Sequence, residues 1–165
     1  MKPKFLEWLV CPDCAGRFQL VSFTADGSEV VDGLLTCGCG RVFPVVDTIP
    51  RILDDAFTLF PEVVEHHRDR LPLSLSAELS ETRYVDHTVR RTRDSFGYQW
   101  TVFSKMVIDF RKNFLGYIYP LTESFFPGKL GLDVGCGFGR HILNAATFGA
   151  EMVGVDVSAA IDATR

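Results

Sequence analysis

The chain has 165 residues, enough for one or two small domains, and 47% of them are apolar, which excludes a disordered protein. The formal net charge of −4 gives no electrostatic argument for a nucleic-acid-binding protein. No apolar run approaches the ~20 residues of a membrane span, and Glu7 interrupts the short apolar run near the start that a signal peptide would need. Five cysteines in such a chain favour metal binding or chemistry over disulfides, and we predict a cytoplasmic protein.

Residues 1–53 have the pattern of a small β-rich domain. Three short segments are rich in β-branched and aromatic residues, as strands are: RFQLVSF, EVVDGLLTC and RVFPVV. Turn signals separate them, first ADGS around Gly27 and then the glycines between Cys37 and Gly40. We therefore predict a domain built from short strands.

Residues 54–127 are predicted to be mainly helical. FPEVVEHHRDRL begins after a proline suited to a first helical turn, and YVDHTVRRTRDSF and TVFSKMVIDFRKNFLGYIY have apolar residues three and four positions apart. The looser piece LPLSLSAELSE between them is interpreted as a linker or a mobile lid.

Residues 128–165 alternate between strand and helix. KLGLDVG is predicted as a strand, GRHILNAATFG as a helix, EMVGVDVS as a strand and SAAIDATR as the start of another helix. One βαβ unit followed by part of the next indicates a parallel sheet. The predicted fold class is therefore α/β, preceded by a β-rich domain and a helical segment.

Four of the five cysteines form two pairs at turns, CPDC with Cys11 and Cys14 and CGCG with Cys37 and Cys39. Four thiolates brought together at turns make a tetrahedral zinc site with Zn–S distances of ~2.3 Å. A structural zinc contributes on the order of 10–16 kcal/mol, which can decide whether so small a domain folds. Two alternatives stay open: thiols that hold no metal, since C-x-C is less usual than C-x-x-C, and a redox pair.

Three alternating glycines follow the apolar run that ends in Asp133; they are Gly135, Gly137 and Gly139. Glycines are needed where a strand meets a helix if a ligand lies against that turn, because Cβ atoms there would block the ligand. The dinucleotide fingerprint G-x-G-x-x-G has its third glycine where this chain has Arg140. A second acid, Asp156, ends the next apolar strand. Strand order predicts that its carboxylate lies beside the loop, where it can accept both ribose hydroxyls of a nucleoside.

The motif DVGCGFGR followed by VGVDVS resembles the first two motifs of class I S-adenosylmethionine-dependent methyltransferases of the type 11-like group. Their fold is a Rossmann-like, seven-stranded sheet with helices on both faces. The resemblance implies that Gly135, Gly137 and Gly139 line the methionine part of the cofactor S-adenosylmethionine. It implies further that Asp133 lies near the amino group of the cofactor and that Asp156 binds the ribose. A nicotinamide- or flavin-binding Rossmann protein is the alternative.

The front of the chain, LVCPDCAGRFQL and CGCGRVFPVVDTIPRIL, is similar to the small zinc-ribbon proteins that activate methyltransferases of tRNA and other substrates. Such ribbons also occur fused to the front of methyltransferase domains. Many members of this family have lost their cysteines, whereas this sequence keeps four. The resemblance implies a zinc ribbon over residues 1–53, a helical linker or lid over 54–127 and the start of a cofactor-binding domain over 128–165.

Several residues near these motifs have two interpretations each. The segment SFGYQW, Ser95 to Trp100, is expected to precede a long helix. Its aromatic residues either belong to the core or form a lid over the cofactor. Cys136 is a small packed residue or a nucleophile, and His141 is packed or capping rather than catalytic. The arginines form a solvated helix face or contact an anionic substrate; they are Arg83, Arg90, Arg91 and Arg93.

The resemblance implies seven strands, and only two of them can be read before Arg165. We therefore expect a C-terminally truncated methyltransferase, inactive alone, whose catalytic residues are unknown and whose unfinished sheet favours self-association. The methyl acceptor is predicted to be a small molecule rather than a nucleic acid, with no membrane partner. The alternative is a ribbon-bearing binding or activator module that works with a separate methyltransferase chain.

Overall fold

The computed structural model describes residues 1–71, 75, 85–102 and 109–164. The chain divides into two units, Met1–Val85 and Asp86–Arg165, and the predicted middle zone, residues 54–127, contributes to both. Most of the predicted linker LPLSLSAELSE lies outside the described residues, as do Arg83 and the side chain of Trp100. Among the described helices, none is both long and apolar enough to cross a lipid bilayer.

The first unit is built on a four-stranded antiparallel sheet in the order β1-β2-β3-β4. Its strands are β1 Phe18–Asp26, β2 Glu29–Cys37, β3 Val42–Val46 and β4 Ile49–Pro50, and a 3₁₀ helix, Pro3–Glu7, precedes them. The three strands predicted from the sequence are thus confirmed. In the register, Phe18 lies opposite Cys37 and Leu35 lies opposite Phe43.

Apolar side chains cover both faces of this sheet. Leu34 and Leu35 are each 0% exposed yet belong to different clusters, because successive residues of a strand point to opposite faces. One cluster holds Phe18, Val30, Leu35, Phe43 and Val45 with Cys11. The other holds Phe23, Leu34, Val42 and Val46 with Val63 and Leu75.

Two short helices cover the second face, α1 Ala56–Leu59 and α2 Glu62–His66. Val63 of α2 is buried in that cluster, and Phe57 and Phe60 pack against it. The predicted helix FPEVVEHHRDRL is shorter than expected, since α2 ends at His66 and a 3₁₀ helix, Arg68–Arg70, follows. The start of the predicted helical zone, residues 54–127, therefore forms part of the core of the first unit.

The second unit contains the predicted βαβ arrangement, so the expectation of mixed α/β content is confirmed. Its helices and strands are α3 His87–Val102, α4 Phe110–Tyr117, β5 Leu130–Val134, α5 Arg140–Thr147 and β6 Glu151–Val155, with 3₁₀ helices Glu123–Phe125 and Ala159–Thr164. Strands β5 and β6 are parallel, with Leu132 opposite Val153. SFGYQW lies inside α3 rather than before a helix.

The two faces of the parallel pair differ. On one face, an added Cβ at Gly154 would lie 2.3 Å from Ile142 Cδ1 and 2.8 Å from Cys136 Sγ, so the start of α5 packs directly on β6. Phe114, Phe126 and Ala145 form the core on this side. On the other face, Leu132 and Val134 are 64% and 76% exposed.

Candidate metal centre and glycine-loop site

Two tight turns of the first unit carry the four paired cysteines. In the first turn, the Cys11 N–H donates to the Gly16 carbonyl at 2.9 Å and the Ala15 N–H donates to the Cys11 carbonyl at 2.8 Å. In the second turn, which joins β2 to β3, the Cys37 N–H donates to the Arg41 carbonyl at 2.9 Å. The antiparallel pairing of Phe18 with Cys37 brings the two turns to the same end of the sheet.

The four Sγ atoms of Cys11, Cys14, Cys37 and Cys39 all lie within 4.8 Å of one another. Cys11 and Cys39 are 3.7 Å apart at sulfur, and Cys14 and Cys37 are 3.4 Å apart. A zinc ion bound to four thiolates at ~2.3 Å requires sulfur separations of ~3.8 Å. The S–S bond of a disulfide measures ~2.05 Å, so the cysteines are free thiols. The cluster predicted from the sequence is present, and it could hold a metal ion such as zinc.

Hydrogen bonds within the cluster affect the protonation of its thiols. The Gly16 N–H donates to Cys14 Sγ at 3.4 Å and lowers the pKa of that thiol, but the neighbouring thiols of Cys39 and Cys37 raise the pKa to about 12. A bound cation reverses this effect because it stabilises thiolates. Metal binding at this cluster is therefore expected to release protons.

Arg41 connects the two cysteine turns. Its guanidinium lies 3.5 Å from the carboxylate of Asp13, which stands between Cys11 and Cys14, and 2.8 Å from the carboxylate of Asp54. The Arg41 side chain is 5% exposed, whereas the side chains of Asp13 and Asp54 are 35% and 52% exposed, so both ion pairs are partly solvated. Arg41 follows directly on the second turn, so its ion pair with Asp13 is a contact between the two turns beside that of the sulfurs.

The glycine loop of the second unit joins β5 to α5. Its three predicted glycines all have left-handed backbone, with φ of +78° at Gly135, +55° at Gly137 and +81° at Gly139. Residues with a Cβ adopt this region at a cost of about 1–2 kcal/mol each. The alternating glycines are therefore required by the backbone path of the loop, whatever binds there. The Gly135 N–H donates to the Val155 carbonyl at 2.8 Å and ties the loop to the end of β6.

Asp156 lies beside this loop, as strand order predicts. Its Oδ2 accepts the Gly137 N–H at 2.8 Å, and its Oδ1 accepts the Ser158 N–H at 2.7 Å and the Ser158 hydroxyl at 2.6 Å. A carboxylate offers about four acceptor positions, so about one remains for a ligand, fewer than the two that both ribose hydroxyls would need. The role of Asp156 as a ribose ligand stays a prediction.

Asp133 and His141 lie near each other on the covered side of β5. Asp133 Oδ2 and His141 Nδ1 are buried, and neither has a hydrogen-bond partner in the described part of the chain. Burial and Arg140 lower the pKa of His141, while the Asp133 carboxylate acts to raise it. The His141 ring packs 5.5 Å from the Phe114 ring and 5.8 Å from the Tyr117 ring. His141 is thus a packed residue.

Cys136 is inside the glycine loop but is not available as a nucleophile. Its side chain is 5% exposed and contacts β6 at Gly154. Burial, followed by the carboxylates of Asp156 and Asp133, raises the pKa of the Cys136 thiol to about 12. A thiol held protonated in this way is inert at neutral pH, which agrees with the interpretation of a small packed residue.

In the segment SFGYQW inside α3, the aromatic side chains that the structure describes are not part of the core. Phe96 and Tyr98 are 54% and 72% exposed. Arg90 and Arg91 are exposed as well, whereas Arg93 is only 8% exposed and lies one turn before the buried Gly97. The buried side of α3 therefore carries Arg93 and Gly97, and the aromatics flanking Gly97 face solvent.

Sequence reasoning missed Ser158 and Gly97. Ser158 donates two of the three hydrogen bonds that hold Asp156, and Gly97 packs on Ser158. A serine two residues after an aspartate at a strand end often closes a local side-chain turn, and a glycine inside a helical pattern often marks close packing. Both signals were present in the sequence, but neither says which part of the chain the residue contacts.

Comparison with known protein families gives no match for this chain, and no curated protein matches its sequence.

Proposed function

We propose that the second unit binds S-adenosylmethionine in the manner of class I methyltransferases and that the first unit is a zinc ribbon. One observation carries the proposal: the Gly137 N–H donates to Asp156 Oδ2 at 2.8 Å. This contact joins the acid after β6 to the middle of a loop whose three glycines have positive φ. A strand, a glycine loop, a helix and a second strand ending in an acid together support a nucleoside ligand.

The residues around the loop fit such a ligand. An added Cβ at Gly135 would meet no atom within 4 Å, so the space beside the loop is open. Asp133 Oδ2, buried without a partner in the described residues, is an acceptor suited to an ammonium group. Asp156 keeps about one acceptor position for a ribose hydroxyl. These features support the roles that the resemblance implies for the two acids.

When bound, the cofactor supplies an electrophilic methyl group on a sulfonium. The residues of this chain contribute orientation: Asp156 would hold the ribose, Asp133 would hold the amino group, and the loop backbone would lie along the ligand. Holding reacting groups in line supplies much of the rate in a transfer of this kind. The first unit would contribute a structural metal site of Cys11, Cys14, Cys37 and Cys39.

A second candidate is a binding or activator module that serves a separate methyltransferase chain. The exposed face of β5 favours it, because parallel strands are usually covered on both faces, yet Leu132 and Val134 are 64% and 76% exposed. This candidate predicts that the protein alone binds no methyl donor and forms a complex with its catalytic partner.

The test is a titration of the purified protein with S-adenosylhomocysteine. Binding is measured by calorimetry and by the amide NMR shifts of the glycine loop. Asp156→Asn should weaken binding roughly 10- to 100-fold, because hydrogen bonds to a charged group contribute about 1.5–3 kcal/mol. Glu151→Gln, at the other end of β6, is the matched control and should bind as the wild type does. Equal dissociation constants for Asp156→Asn and wild type, or tighter binding of a nicotinamide dinucleotide, would contradict the proposal.

A further inference from the structure

Helix α3 passes directly over the turn that follows β6. An added Cβ at Gly97 would lie 3.3 Å from the Ala159 backbone nitrogen and 3.5 Å from Ser158 Cβ. Ser158 is 5% exposed and Ala160 is 0% exposed. Most Cβ atoms do not come so close to their neighbours, so a glycine at position 97 lets the helix backbone close over Ser158.

Ser158 is the principal local partner of Asp156. Its N–H and its hydroxyl both donate to Asp156 Oδ1, at 2.7 and 2.6 Å, while its Oγ accepts the Ala160 N–H at 3.3 Å. The other carboxylate oxygen, Oδ2, is held by the Gly137 N–H of the glycine loop. The two oxygens of Asp156 are therefore held from two directions, one by the turn and one by the loop.

We propose that Ser158, held in place by α3 at Gly97, is a positioning residue that sets the orientation of the Asp156 carboxylate toward one ribose hydroxyl, the 2′-hydroxyl. This inference rests on the proposed function of Asp156. The terminal torsion of an aspartate side chain is soft, so each donor that holds one of its oxygens narrows the range of rotations that the carboxylate samples. Fixing it before the ligand arrives lowers the ordering cost of binding.

A purely structural role for Ser158 gives a different expectation. If the serine only closed the turn, its loss would weaken every nucleoside ligand equally, by loosening the site. If it orients Asp156, its loss affects those ligands whose ribose hydroxyl Asp156 accepts. A ligand that lacks this hydroxyl separates the two roles.

The experiment compares S-adenosylhomocysteine with its 2′-deoxy analogue on wild-type protein and on Ser158→Ala, with affinities measured by calorimetry. We expect Ser158→Ala to weaken S-adenosylhomocysteine about fivefold, the usual effect of one lost hydrogen bond. The affinity of the 2′-deoxy analogue should change less than about twofold, because that ligand no longer depends on the orientation of Asp156. Circular dichroism checks that the variant is folded.

Gly97→Ala is the second variant, since its added Cβ pushes α3 away from Ser158 without removing any hydrogen-bonding group. It should reproduce the selective loss for S-adenosylhomocysteine. Gly116→Ala is the matched control, a glycine inside α4 whose added Cβ would meet no atom within 4 Å, and it should bind both ligands as the wild type does.

Equal losses for the two ligands, or no loss, in Ser158→Ala and Gly97→Ala would overturn the positioning role while leaving the proposed function intact. Wild-type protein that binds neither ligand would overturn the proposed function and this inference together.

Discussion

Ala15, in the first cysteine turn, has the left-handed backbone that glycine usually supplies. Its φ is +57°, and the corresponding second turn reaches the same region with Gly40 at +96°. A Cβ in this region costs about 1–2 kcal/mol, whereas a glycine loses more conformational entropy on folding, about 0.5–1 kcal/mol. The two turns that carry the four clustered cysteines thus meet the same backbone requirement with different residues.

Replacing Ala15 by glycine should stabilise the first unit. We expect Ala15→Gly to raise the free energy of unfolding by about 0.5–1 kcal/mol, because the relief of strain exceeds the entropic cost. Urea denaturation of the zinc-loaded protein measures the change. Ala25→Gly, on an exposed extended position of β1, is the matched control and should destabilise the protein. An Ala15→Gly variant less stable than wild type would refute the strain argument.

At the level of the strands, β1 contains an irregularity that two other elements stabilise. The register with β2 shifts between Ser22 and Thr24, where an added Cβ at Gly33 would lie 2.3 Å from the Val21 carbonyl oxygen. Arg70 donates to the carbonyls of Phe23 at 3.0 Å and Ser22 at 2.9 Å. Gly33 thus leaves room for the close approach of β1, and Arg70 donates to two carbonyls at the irregularity.

The hairpin between β3 and β4 is closed by Asp47 and Thr48, with Val46 paired to Ile49. Both loop residues have positive φ, +50° and +68°, as a type I′ turn requires. Threonine is a poor choice there because its branched Cβ crowds left-handed backbone. Thr48→Gly should therefore raise the free energy of unfolding by about 1 kcal/mol, measured by urea denaturation.

The control for the hairpin is Thr58→Gly, an exposed threonine in α1. The same chemical change should destabilise the protein there, because glycine is a poor helix residue. Changes of the same sign in both variants would show that the turn type does not govern stability at Thr48.

At the scale of the whole molecule, the two units differ in how well their sheets are covered. In the first unit, Leu34, Leu35 and Val45 are 0% exposed on the central strands. In the second unit, alternate residues of β5 are exposed on one face, with Val134 at 76%. Amide protection follows buried contacts, so the two sheets should exchange at different rates.

We expect the purified protein to contain about one zinc ion per chain, as one Cys₄ site would bind. Hydrogen exchange should be slow in β2 and β3 and faster in β5. Removing the metal with a chelator should increase exchange in β1–β3, because a structural zinc contributes on the order of 10–16 kcal/mol. Exchange in β5 and β6 should not change, since both strands belong to the other unit.

Metal analysis and mass spectrometry after exchange provide the measurement, and Cys136→Ser is the control. Cys136 lies outside the cluster, so the zinc content of the variant and the protection of its strands β1–β3 should match those of the wild type. Full protection of β1–β3 after complete metal removal would show that the hydrophobic clusters suffice without the metal.

Local features of the sequence were enough to find the residues whose type is imposed by the backbone or by ligand chemistry. Gly135, Gly137 and Gly139 are glycines because their φ values are positive, and a constraint of that kind acts on each residue separately. The paired cysteines could be grouped because turns between short strands meet at one end of a sheet. The placement of Asp156 beside the loop follows from the order of parallel strands.

Other features depend on contacts between distant parts of the chain, and the tertiary structure alone decided them. The packing of Val63 on the first sheet, the closure of α3 at Gly97 over Ser158 and the exposure of Phe96 and Tyr98 are of this kind. Each results from many weak contacts summed over two elements, and the pattern of one segment does not say which other segment covers it. Burial of a residue is therefore a property of the elements that pack around it, whereas the backbone requirement of a glycine belongs to the residue itself.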